Sequence, residues 1–505
     1  MNILSRTYQE AARTENICLP FLQQESLARG AFFSLLSPEI QRTVETFIKK
    51  EMKGEEGEIK TLWLKEGKPL RIILSGLGER SKWHERKRPL FVRRMIQYAK
   101  KERLSEITIP ATESLGTEPK SRAALIASDA LMAHFEYTAY RETPKDGWPE
   151  IKTLYLAGDE TQRQETEQGI EEGMIVGEEV NACRALANTP GSDMTPMKLA
   201  AEAKKIAQKH GIKIKVLDED EMKRIGMGGV LGVAKGSDEK PRFIIMEYQR
   251  GPAGQPPLAL AGKGVTFDTG GLNLKSDQAI YEMHMDMSGG AAAIHGIAAI
   301  ARMKLPVNIV GLIPAVENMP SGSSYRPGDL LKSLSGKTIE VLNTDAEGRI
   351  ILADAFTYAL RYKPGLLVSL ATLTGAAHVA LGHHCSALFT NREGLLQPLI
   401  EIGKISGDYV WPLPLWDEYL AEIKGTFGDI ANAAKGDRYG GAIYGAKFLE
   451  QFALGIPFAH VDIAPRMTSI DSEYLAKGAT GVGVRYIVEL AKRYPDIETQ
   501  ISKSK

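Results

Sequence analysis

The chain has 505 residues, of which 43% are hydrophobic and 25% are charged. This composition suits about two α/β domains with buried cores and excludes a disordered chain. The 63 basic and 63 acidic side chains cancel, which argues against a protein that mainly coats nucleic acid or an anionic membrane.

Cysteine content and the first residues indicate the compartment. The three cysteines, Cys18, Cys183 and Cys385, are too few for a disulfide framework in a chain of this length, which favours a reducing compartment. The opening residues MNILSRTYQEAARTE lack the apolar core that a signal peptide needs. We therefore expect a cytoplasmic protein.

Residues 1–160 alternate short apolar strands with helical stretches. The segments TLWLK, RIILSG, EITIP and TLYLAG predict strands, and SRAALIASDALMAHFEYTAY predicts a helix. From 161 to 187 apolar residues recur at helical spacing, and this helix ends at the breaker cluster NTPG at 188–191. We predict a smaller N-terminal α/β domain at 1–160 and a connecting helix and turn at 161–190.

Residues 191–505 again alternate helices and strands. FIIMEY, LALAG, VNIVGLIP, TIEVL and LLVSLATL predict the strands, so we expect a larger C-terminal α/β domain with a central mixed sheet flanked by helices. Residues 364–391 carry no charged side chain apart from histidine, a length that could span a bilayer. Their many Ser, Thr, Gly and His residues favour a strand, a glycine turn and a second apolar element in a soluble core.

A basic run covers residues 82–103, with nine basic and two acidic side chains. One interpretation is a surface for nucleic acid or an acidic partner. The favoured interpretation is an amphipathic helix that buries Phe91, Met95, Ile96 and Ala99 and turns its basic side chains to water.

Candidate chemistry begins with LALAGKGVTFDTGGLNLKSDQAIYEMHMDMSGGAAA at 258–293. Lys263 follows an apolar strand, and Asp268 precedes a Thr-Gly-Gly turn, the arrangement of a site at the carboxyl end of a buried strand. Lys275 follows, and Asp286 lies in an otherwise uncharged, methionine-rich setting. A carboxylate within apolar sequence needs a cation, a metal ion or a proton.

A second stretch, TIEVLNTDAEGRIILADAFTYAL at 338–360, adds Asp345 and Glu347. In extended backbone, residues two apart point the same way. If the two stretches converge, four carboxylates face Lys263, Lys275 and Arg349. That number of carboxylate oxygens suits two divalent cations that share ligands, an arrangement used for hydrolysis.

Other chemistries fit less well. The chain has no phosphate-binding glycine loop followed by Lys-Ser/Thr, no early GxGxxG with a distal acid and no GxSxG. Cys385 beside His383 and His384 could be a thiol nucleophile or zinc ligand, but a buried structural cysteine is favoured. His284, which we place on a strand, is interpreted as a residue flanking the acids.

The motifs resemble those of the leucyl aminopeptidase (cytosol aminopeptidase) family. NTDAEGR at 343–349 is similar to its signature, and GKGVTFDTGGLNLK, ENMPSGSSYRPGD, SLATLTGAAHVALG and LAKGATGVGVR resemble its other blocks in order. The similarity covers residues 181–490, and the preceding part resembles the family only loosely. The resemblance implies an exopeptidase that removes leucine and other apolar residues from peptide N-termini by way of a metal-bridged hydroxide.

The resemblance also implies a role for each matching position. Two divalent ions per subunit, Mn²⁺ or Zn²⁺, would be bridged by Asp268 and Glu347, with Lys263 and Asp286 completing one site and Asp345 the other. Lys275 would stabilise the oxyanion of the transition state, and Arg349 would hold a bicarbonate ion as general base. The implied pocket for the substrate's first side chain comprises Met283, Thr372, Leu373 and Gly375.

Ser276, His284 and Tyr444 depart from the family's usual residues and put the pocket shape in doubt rather than the reaction. The family implies a homo-hexamer. A DNA-binding or regulatory protein on the same scaffold is the alternative function, with the basic run as its only support; nucleic acid is therefore an unlikely partner and a membrane is not expected. A two-metal phosphoesterase would want more histidine ligands and more cationic groups for phosphate.

Overall fold

The computed structural model describes residues 1–25, 30–66, 68–435 and 439–503. The chain forms two compact units, Met1–Asn181 with Ile470–Lys477, and Ala182–Ser469 with Gly478–Lys505. The chain passes from the first to the second inside one long helix, Arg163–Asn188. The boundaries of the predicted connector at 161 and 190 stay a prediction.

The first unit contains a six-stranded sheet in the order β1-β6-β5-β2-β4-β3. All neighbouring strands run parallel except the edge strand β3, which is antiparallel to β4. The elements are β1 Asn2–Thr7, α1 Tyr8–Ala11, β2 Asn16–Phe21, α2 Pro38–Glu51, β3 Ile59–Glu66, β4 Lys68–Gly76, α3 Lys87–Lys101, β5 Glu106–Pro110, α4 Pro119–His134 and β6 Thr153–Gly158.

The four strands predicted here are confirmed as β3 to β6, whereas β1 and β2 were not predicted. The helix predicted for 121–140 ends early, at His134. Phe135 adopts extended backbone, and the rings of Tyr137 and Tyr140 pack on each other with centroids 6.1 Å apart. The apolar residues after His134 continue the helical spacing although the helix has ended, which explains why the predicted helix is too long.

The basic run folds as the amphipathic helix α3, with Phe91, Met95, Ile96 and Ala99 buried as predicted. The prediction that its basic side chains all face water is wrong, because three of them are buried: Arg93, Arg94 and Lys100. Arg93 pairs with Asp129 at 2.7 Å and Lys100 with Glu136 at 2.6 Å. The arginine and lysine stems add apolar area to the core while their charges meet acids.

The second unit contains a nine-stranded mixed sheet in the order β16-β15-β18-β14-β9-β11-β8-β7, with β10 paired to β11. Its strands are β7 Lys213–Leu217, β8 Arg242–Gln249, β9 Leu258–Gly262, β10 Gly264–Asp268, β11 Asn308–Asn318, β14 Leu366–Ala371, β15 Ser386–Thr390, β16 Val410–Pro412 and β18 Phe458–Asp462. A three-stranded sheet is formed by β12 Leu330–Lys332, β13 Thr338–Glu340 and β17 Ile430–Ala431.

Helices pack against this sheet, among them α6, α8, α10 and α11, which contact β11. The helices that follow α4 in the chain are α5 Arg163–Asn188, α6 Pro196–His210, α7 Glu219–Ile225, α8 Gly228–Ala234, α9 Asp277–Ile280, α10 Ser288–Arg302, α11 Glu347–Ala359, α12 Gly375–Leu381, α13 Leu396–Ser406, α14 Gly441–Ala453 and α15 Val484–Lys503. The predicted α/β class with a mixed sheet is confirmed.

The uncharged stretch 364–391 forms the buried strands β14 and β15, as the sequence predicts, but the residues between them include the partly exposed helix α12 instead of a glycine turn alone. No helix in the described part of the chain is long and apolar enough to cross a membrane. The strands β9, β10, β11, β14 and β18 run parallel to their neighbours in this set. Their carboxyl ends therefore meet at one edge of the sheet, where α/β proteins place their ligands.

Candidate metal centre

Polar side chains stand at the carboxyl ends of these parallel strands. Lys263 directly follows β9, Asp268 ends β10 and Asn318 ends β11, while Thr372 follows β14 and Asp462 ends β18. All five are buried. Each lies where its strand ends, so the parallel arrangement brings residues that are far apart in the sequence to one place.

Glycine allows the chain to turn back immediately after Asp268. Gly270 and Gly271 have φ angles of +87° and +65°, values that side chains with a Cβ rarely adopt. The turn is closed by the Lys275 N–H, which donates to the Thr269 carbonyl over 2.9 Å. The turn therefore brings Lys275 back beside the carboxylate of Asp268.

The NTDAEGR segment is a turn that leads into a helix, not extended backbone as predicted. Asp345 lies in the turn and Glu347 is the first residue of α11. The side chain of buried Asn432 clamps this turn: its Oδ1 accepts the Leu342 N–H over 2.8 Å and its Nδ2 donates to the Asn343 carbonyl over 2.6 Å. The turn and the start of the helix place Asp345 beside Lys275 and Glu347 beside Lys263.

Lys263 is surrounded by acceptors. Its Nζ lies 2.8 Å from Asp286 Oδ2, 2.8 Å from Glu347 Oε1 and 2.9 Å from the Thr372 carbonyl oxygen. Only 3% of the lysine side chain is exposed. Burial by itself would lower the pKa of Lys263, but Asp286, Glu347 and Asp268 outweigh it and hold the pKa above its ordinary value.

Lys275 lies on the more open side of the cluster. Its Nζ is 2.8 Å from Asp268 Oδ2 and also pairs with Asp345. Burial opposes its charge, yet the neighbouring carboxylates, with Asp268 first, raise its pKa. Its ammonium group is therefore charged at neutral pH while 14% of the side chain stays exposed.

The carboxylates crowd one another. Oxygen atoms of Asp268, Asp286 and Glu347 all lie within 4.8 Å of each other, and the three residues are buried. Burial, with the charge of Asp268 as second cause, raises the pKa of Glu347 to about 8. Burial likewise raises the pKa of Asp286 to about 6 and also raises that of Asp345.

The donor set fits divalent metal ions. Asp286 Oδ2, Asp345 Oδ1 and Glu347 Oε1 are buried and have no hydrogen-bond partner among the described residues. Each lies within ion-pair distance of a lysine, but in a direction that does not make a hydrogen bond. Carboxylate oxygens gathered in this number suit hard or borderline divalent cations, each of which can contact several of them at once.

Arg349 is placed two residues after Glu347, on the first turn of α11. Its Nη1 donates to the Asn432 carbonyl over 2.8 Å, and its buried Nε has no hydrogen-bond partner among the described residues. Burial lowers the pKa of Arg349 to about 10. The side chain therefore keeps its charge at neutral pH and retains donor capacity for an anion.

The predicted pocket residues surround this centre to differing degrees. Thr372 donates its hydroxyl to Asp286 Oδ1 over 2.6 Å, Leu373 is half-buried and exposed Gly375 opens α12. Met283 begins a short 3₁₀ turn, Met283–Met285, and is half-buried. The strand expected around His284 is therefore wrong.

Cys385 is half-buried and not buried as predicted. Three residues that hold the site together, Asn318, Asn432 and Asp462, were not predicted. Asn318 Nδ2 donates to Asp268 Oδ1 over 2.8 Å, Asn432 clamps the 343–346 turn, and Asp462 holds the turn after β14. Asn318 and Asp462 each end an apolar run, VGLIPAVEN and FAHVD, and that signal could have identified them.

Comparisons with known proteins agree with the arrangement. The cytosol aminopeptidase family matches through its catalytic domain over residues 181–488 and its N-terminal domain over 19–144. A probable cytosol aminopeptidase of Roseiflexus castenholzii is 42% identical over 422 residues, 83% of this chain and 86% of the relative. One from Syntrophotalea carbinolica is 40% identical over 452 residues, 88% of this chain and 90% of the relative.

A solved structure of the bottromycin maturation enzyme BotP in complex with Mn has a TM-score of 0.82 at 27% identity, and the match covers 95% of this chain and 99% of that one. The resemblance that NTDAEGR indicated is thereby confirmed. The catalytic-domain match spans more than half of the chain, and the two relatives match more than four fifths of it. The chain belongs to the cytosol aminopeptidase family and is an aminopeptidase, a hydrolase of peptides.

Proposed function

We propose that this aminopeptidase is metal-dependent and removes apolar residues, leucine foremost, from the N-termini of peptides. The observation that carries the proposal is the convergence of buried Asp268, Asp286 and Glu347 within 4.8 Å. Asp345 adds a fourth carboxylate through its contact with Lys275. With all four acids ionised, the three buried carboxylates and the partly exposed Asp345 carry more negative charge than Lys263, Lys275 and Arg349 balance, and divalent ions would supply the difference.

Two divalent ions would be held by Asp268, Asp286, Asp345 and Glu347, with Lys263 as a further ligand. When bound, such ions act as Lewis acids and make a water molecule nucleophilic near neutral pH. The acids keep Lys263 protonated in the metal-free cluster, so binding of the ions would have to displace its proton before the amine could offer a lone pair. Either Mn²⁺ or Zn²⁺ suits oxygen and nitrogen ligands, and the Mn in the BotP structure favours Mn²⁺.

Lys275 is suited to stabilise negative charge that develops on the substrate. Its Nζ is charged, anchored by Asp268 at 2.8 Å and partly exposed. An ammonium group fixed beside the scissile carbonyl stabilises the tetrahedral oxyanion more than the ground state. Lys275 would thus lower the barrier to attack without itself exchanging a proton.

Arg349 is suited to hold a small anion beside the reacting atoms. Its guanidinium group is buried, charged and incompletely hydrogen-bonded. The family's bicarbonate ion fits this chemistry, and it would accept the proton of the attacking water in place of a protein carboxylate. Arg349 would orient that base through paired N–H donors.

We further propose a homo-hexamer in the cytoplasm. Large apolar side chains are exposed on the second unit, with Val379 at 89%, Phe427 at 82% and Tyr281 at 80%, and contact with other copies would remove such side chains from water. The DNA-binding alternative loses support, because Arg93, Arg94 and Lys100 are buried and cannot contact phosphates.

The first test is the release of leucine from a leucyl amide by chelator-stripped protein, before and after addition of Mn²⁺ or Zn²⁺. We expect activity to disappear with the metal and to return with it. Leucine release that persists at full rate in stripped protein, with metal analysis at zero, would refute the metal-dependent mechanism. An alanyl amide measured in parallel tests the preference for leucine.

A further inference from the structure

The turn that joins β14 to α12, residues 372–375, is called the substrate turn below. Its first residue is attached to the carboxylate centre. Lys263 Nζ donates to the Thr372 carbonyl over 2.9 Å, and Thr372 Oγ1 donates to Asp286 Oδ1 over 2.6 Å. These bonds fix the first residue of the turn relative to the carboxylate centre. They do not hold the residues that follow it.

The far end is held by Asp462, the last residue of β18, which is 0% exposed. Its Oδ1 accepts the Leu373 N–H over 3.1 Å and the Ala464 N–H over 3.2 Å, and its Oδ2 accepts the Thr374 hydroxyl over 2.7 Å. Hydrogen bonds to an ionised acceptor are roughly twice as strong as neutral ones. One carboxylate therefore ties the turn to the end of a central strand.

Asp462 has no ion-pair partner among the described residues, and the donors around it come largely from the substrate turn. A buried carboxylate is costly unless its oxygens are hydrogen-bonded. A shift of Leu373 and Thr374 away from Asp462 would leave the Ala464 N–H as the remaining donor to that charge. Such a shift would raise the free energy of the buried carboxylate, and the turn is therefore held in place.

The side chain of Thr374 links Asp462 to the start of the next helix, α12. Its Oγ1 donates to Asp462 and also accepts the Ala377 N–H over 3.1 Å as the N-cap of α12. The turn also packs closely on α14, because a Cβ on Gly445 would lie 3.1 Å from Leu373 Cδ2 and 3.4 Å from Thr374 Cγ2. The turn is confined between Asp462 and α14.

We propose that Asp462 is a positioning residue that sets the fit of the substrate's first side chain by fixing the substrate turn. This rests on the proposed function and on the pocket that the family resemblance implies for that side chain, with Thr372, Leu373 and Gly375 among its lining residues. Asp462 touches neither substrate nor reacting atoms and acts through Leu373 and Thr374. It is thus a determinant of specificity for apolar N-terminal residues.

The test compares Asp462→Asn, Thr374→Val and Thr374→Ser with the wild type on leucyl and alanyl amides. The asparagine keeps the size of the side chain but removes its charge and turns an amide N–H₂ toward Thr374. We expect the leucyl-to-alanyl ratio of kcat/KM to fall about tenfold in Asp462→Asn and Thr374→Val, the lower end of what one methylene group discriminates. The change should lie mainly in KM for the leucyl substrate, and Thr374→Ser should restore the ratio.

Thr390→Val is the matched control, because Thr390 Oγ1 donates to the Phe458 carbonyl over a similar 2.7 Å at the end of β15. We expect it to leave the ratio unchanged. Bound metal and melting temperature are measured for every variant, since a purely structural role would lower the melting temperature and leave the ratio as it was. If Asp462→Asn folds poorly, the Thr374→Val and Thr374→Ser pair decides.

Two failures are distinguishable. A wild-type ratio near one would refute the proposed preference for leucine, and the role of Asp462 with it. A clear wild-type preference that persists unchanged in Asp462→Asn and Thr374→Val would overturn the role of Asp462 alone. An equal loss in Thr374→Ser and Thr374→Val would overturn it as well, because the serine keeps the hydroxyl.

Discussion

Gly348 lies beside Lys263, and its replacement by alanine tests the geometry of the carboxylate centre. A Cβ at position 348 would lie 2.6 Å from Lys263 Cε, 2.8 Å from its Cδ and 2.9 Å from its Nζ. Carbon atoms in good contact are about 3.5–4.0 Å apart, so the lysine side chain would have to move by about 1 Å. The backbone of Gly348 is helical and cannot yield easily.

The expected loss of activity follows from the contacts that hold Lys263 in place. Its Nζ contacts Asp286 and Glu347 at 2.8 Å each and the Thr372 carbonyl at 2.9 Å, so the shift breaks several contacts together. A misplacement of about 1 Å in an active site can cost about 10²-fold in rate. Glycine to alanine inside a helix otherwise stabilises by about 1 kcal/mol, so we expect Gly348→Ala to lose kcat without losing its fold.

The assay is kcat on a leucyl amide, with bound metal and melting temperature measured on the same samples. Gly322→Ala is the control, because a Cβ there meets no described atom within 4 Å. The double variant Gly348→Ala with Lys263→Ala should be no slower than Lys263→Ala, since the clash needs the lysine. Wild-type kcat in Gly348→Ala, or additive losses in the double variant, would refute the reasoning.

Further predictions concern the acids and Lys275. Glu347→Ala or Asp268→Ala should abolish leucine release and reduce bound metal; full activity in either would contradict the ligand assignment. Lys275→Ala should keep the metals but slow turnover by about 10²–10³-fold, as loss of an oxyanion donor does; kcat together with metal analysis checks this. Burial raises the pKa of Asp354 to about 7, so the folded chain binds more protons than the unfolded chain between about pH 4 and 7, and stability falls as pH rises through that window. Asp354→Asn should flatten this fall, which urea midpoints at pH 5 and 8 would detect; an equally steep fall in the variant would contradict it.

The sequence alone predicts those site residues that stand next to a recognisable pattern, such as an apolar strand or a pair of glycines. Lys263 and Asp268 stand beside an apolar strand and glycines, and the strand ends do bring them together with Glu347. What one sequence does not contain is the pairing between distant segments. Asn432 is 83 residues from Arg349, yet its carbonyl accepts the arginine's N–H and its side chain clamps the NTDAEGR turn.

The same limit explains the error on the basic run. Helical spacing correctly predicts which apolar residues of α3 face the core, because that pattern is local. Whether a charged residue such as Arg93 faces water depends on an acid elsewhere, here Asp129 on α4 at 2.7 Å. Charged side chains next to an apolar face can be buried whenever a neighbouring helix supplies the counter-charge.

The polar residues at the sheet edge differ in charge for a physical reason. Asn318 lies beside a centre already rich in carboxylates, where its Nδ2 donates to Asp268 Oδ1 over 2.8 Å and to the Thr344 carbonyl over 3.0 Å. An aspartate there would add a like charge and face two acceptors. Asp462 instead faces N–H and O–H donors only, so an ionised acceptor is the stabilising choice. The amide at one strand end and the carboxylate at the other are therefore explained by their neighbours. A polar residue that ends an apolar strand indicates a site, but its role depends on neighbours that are distant in the sequence.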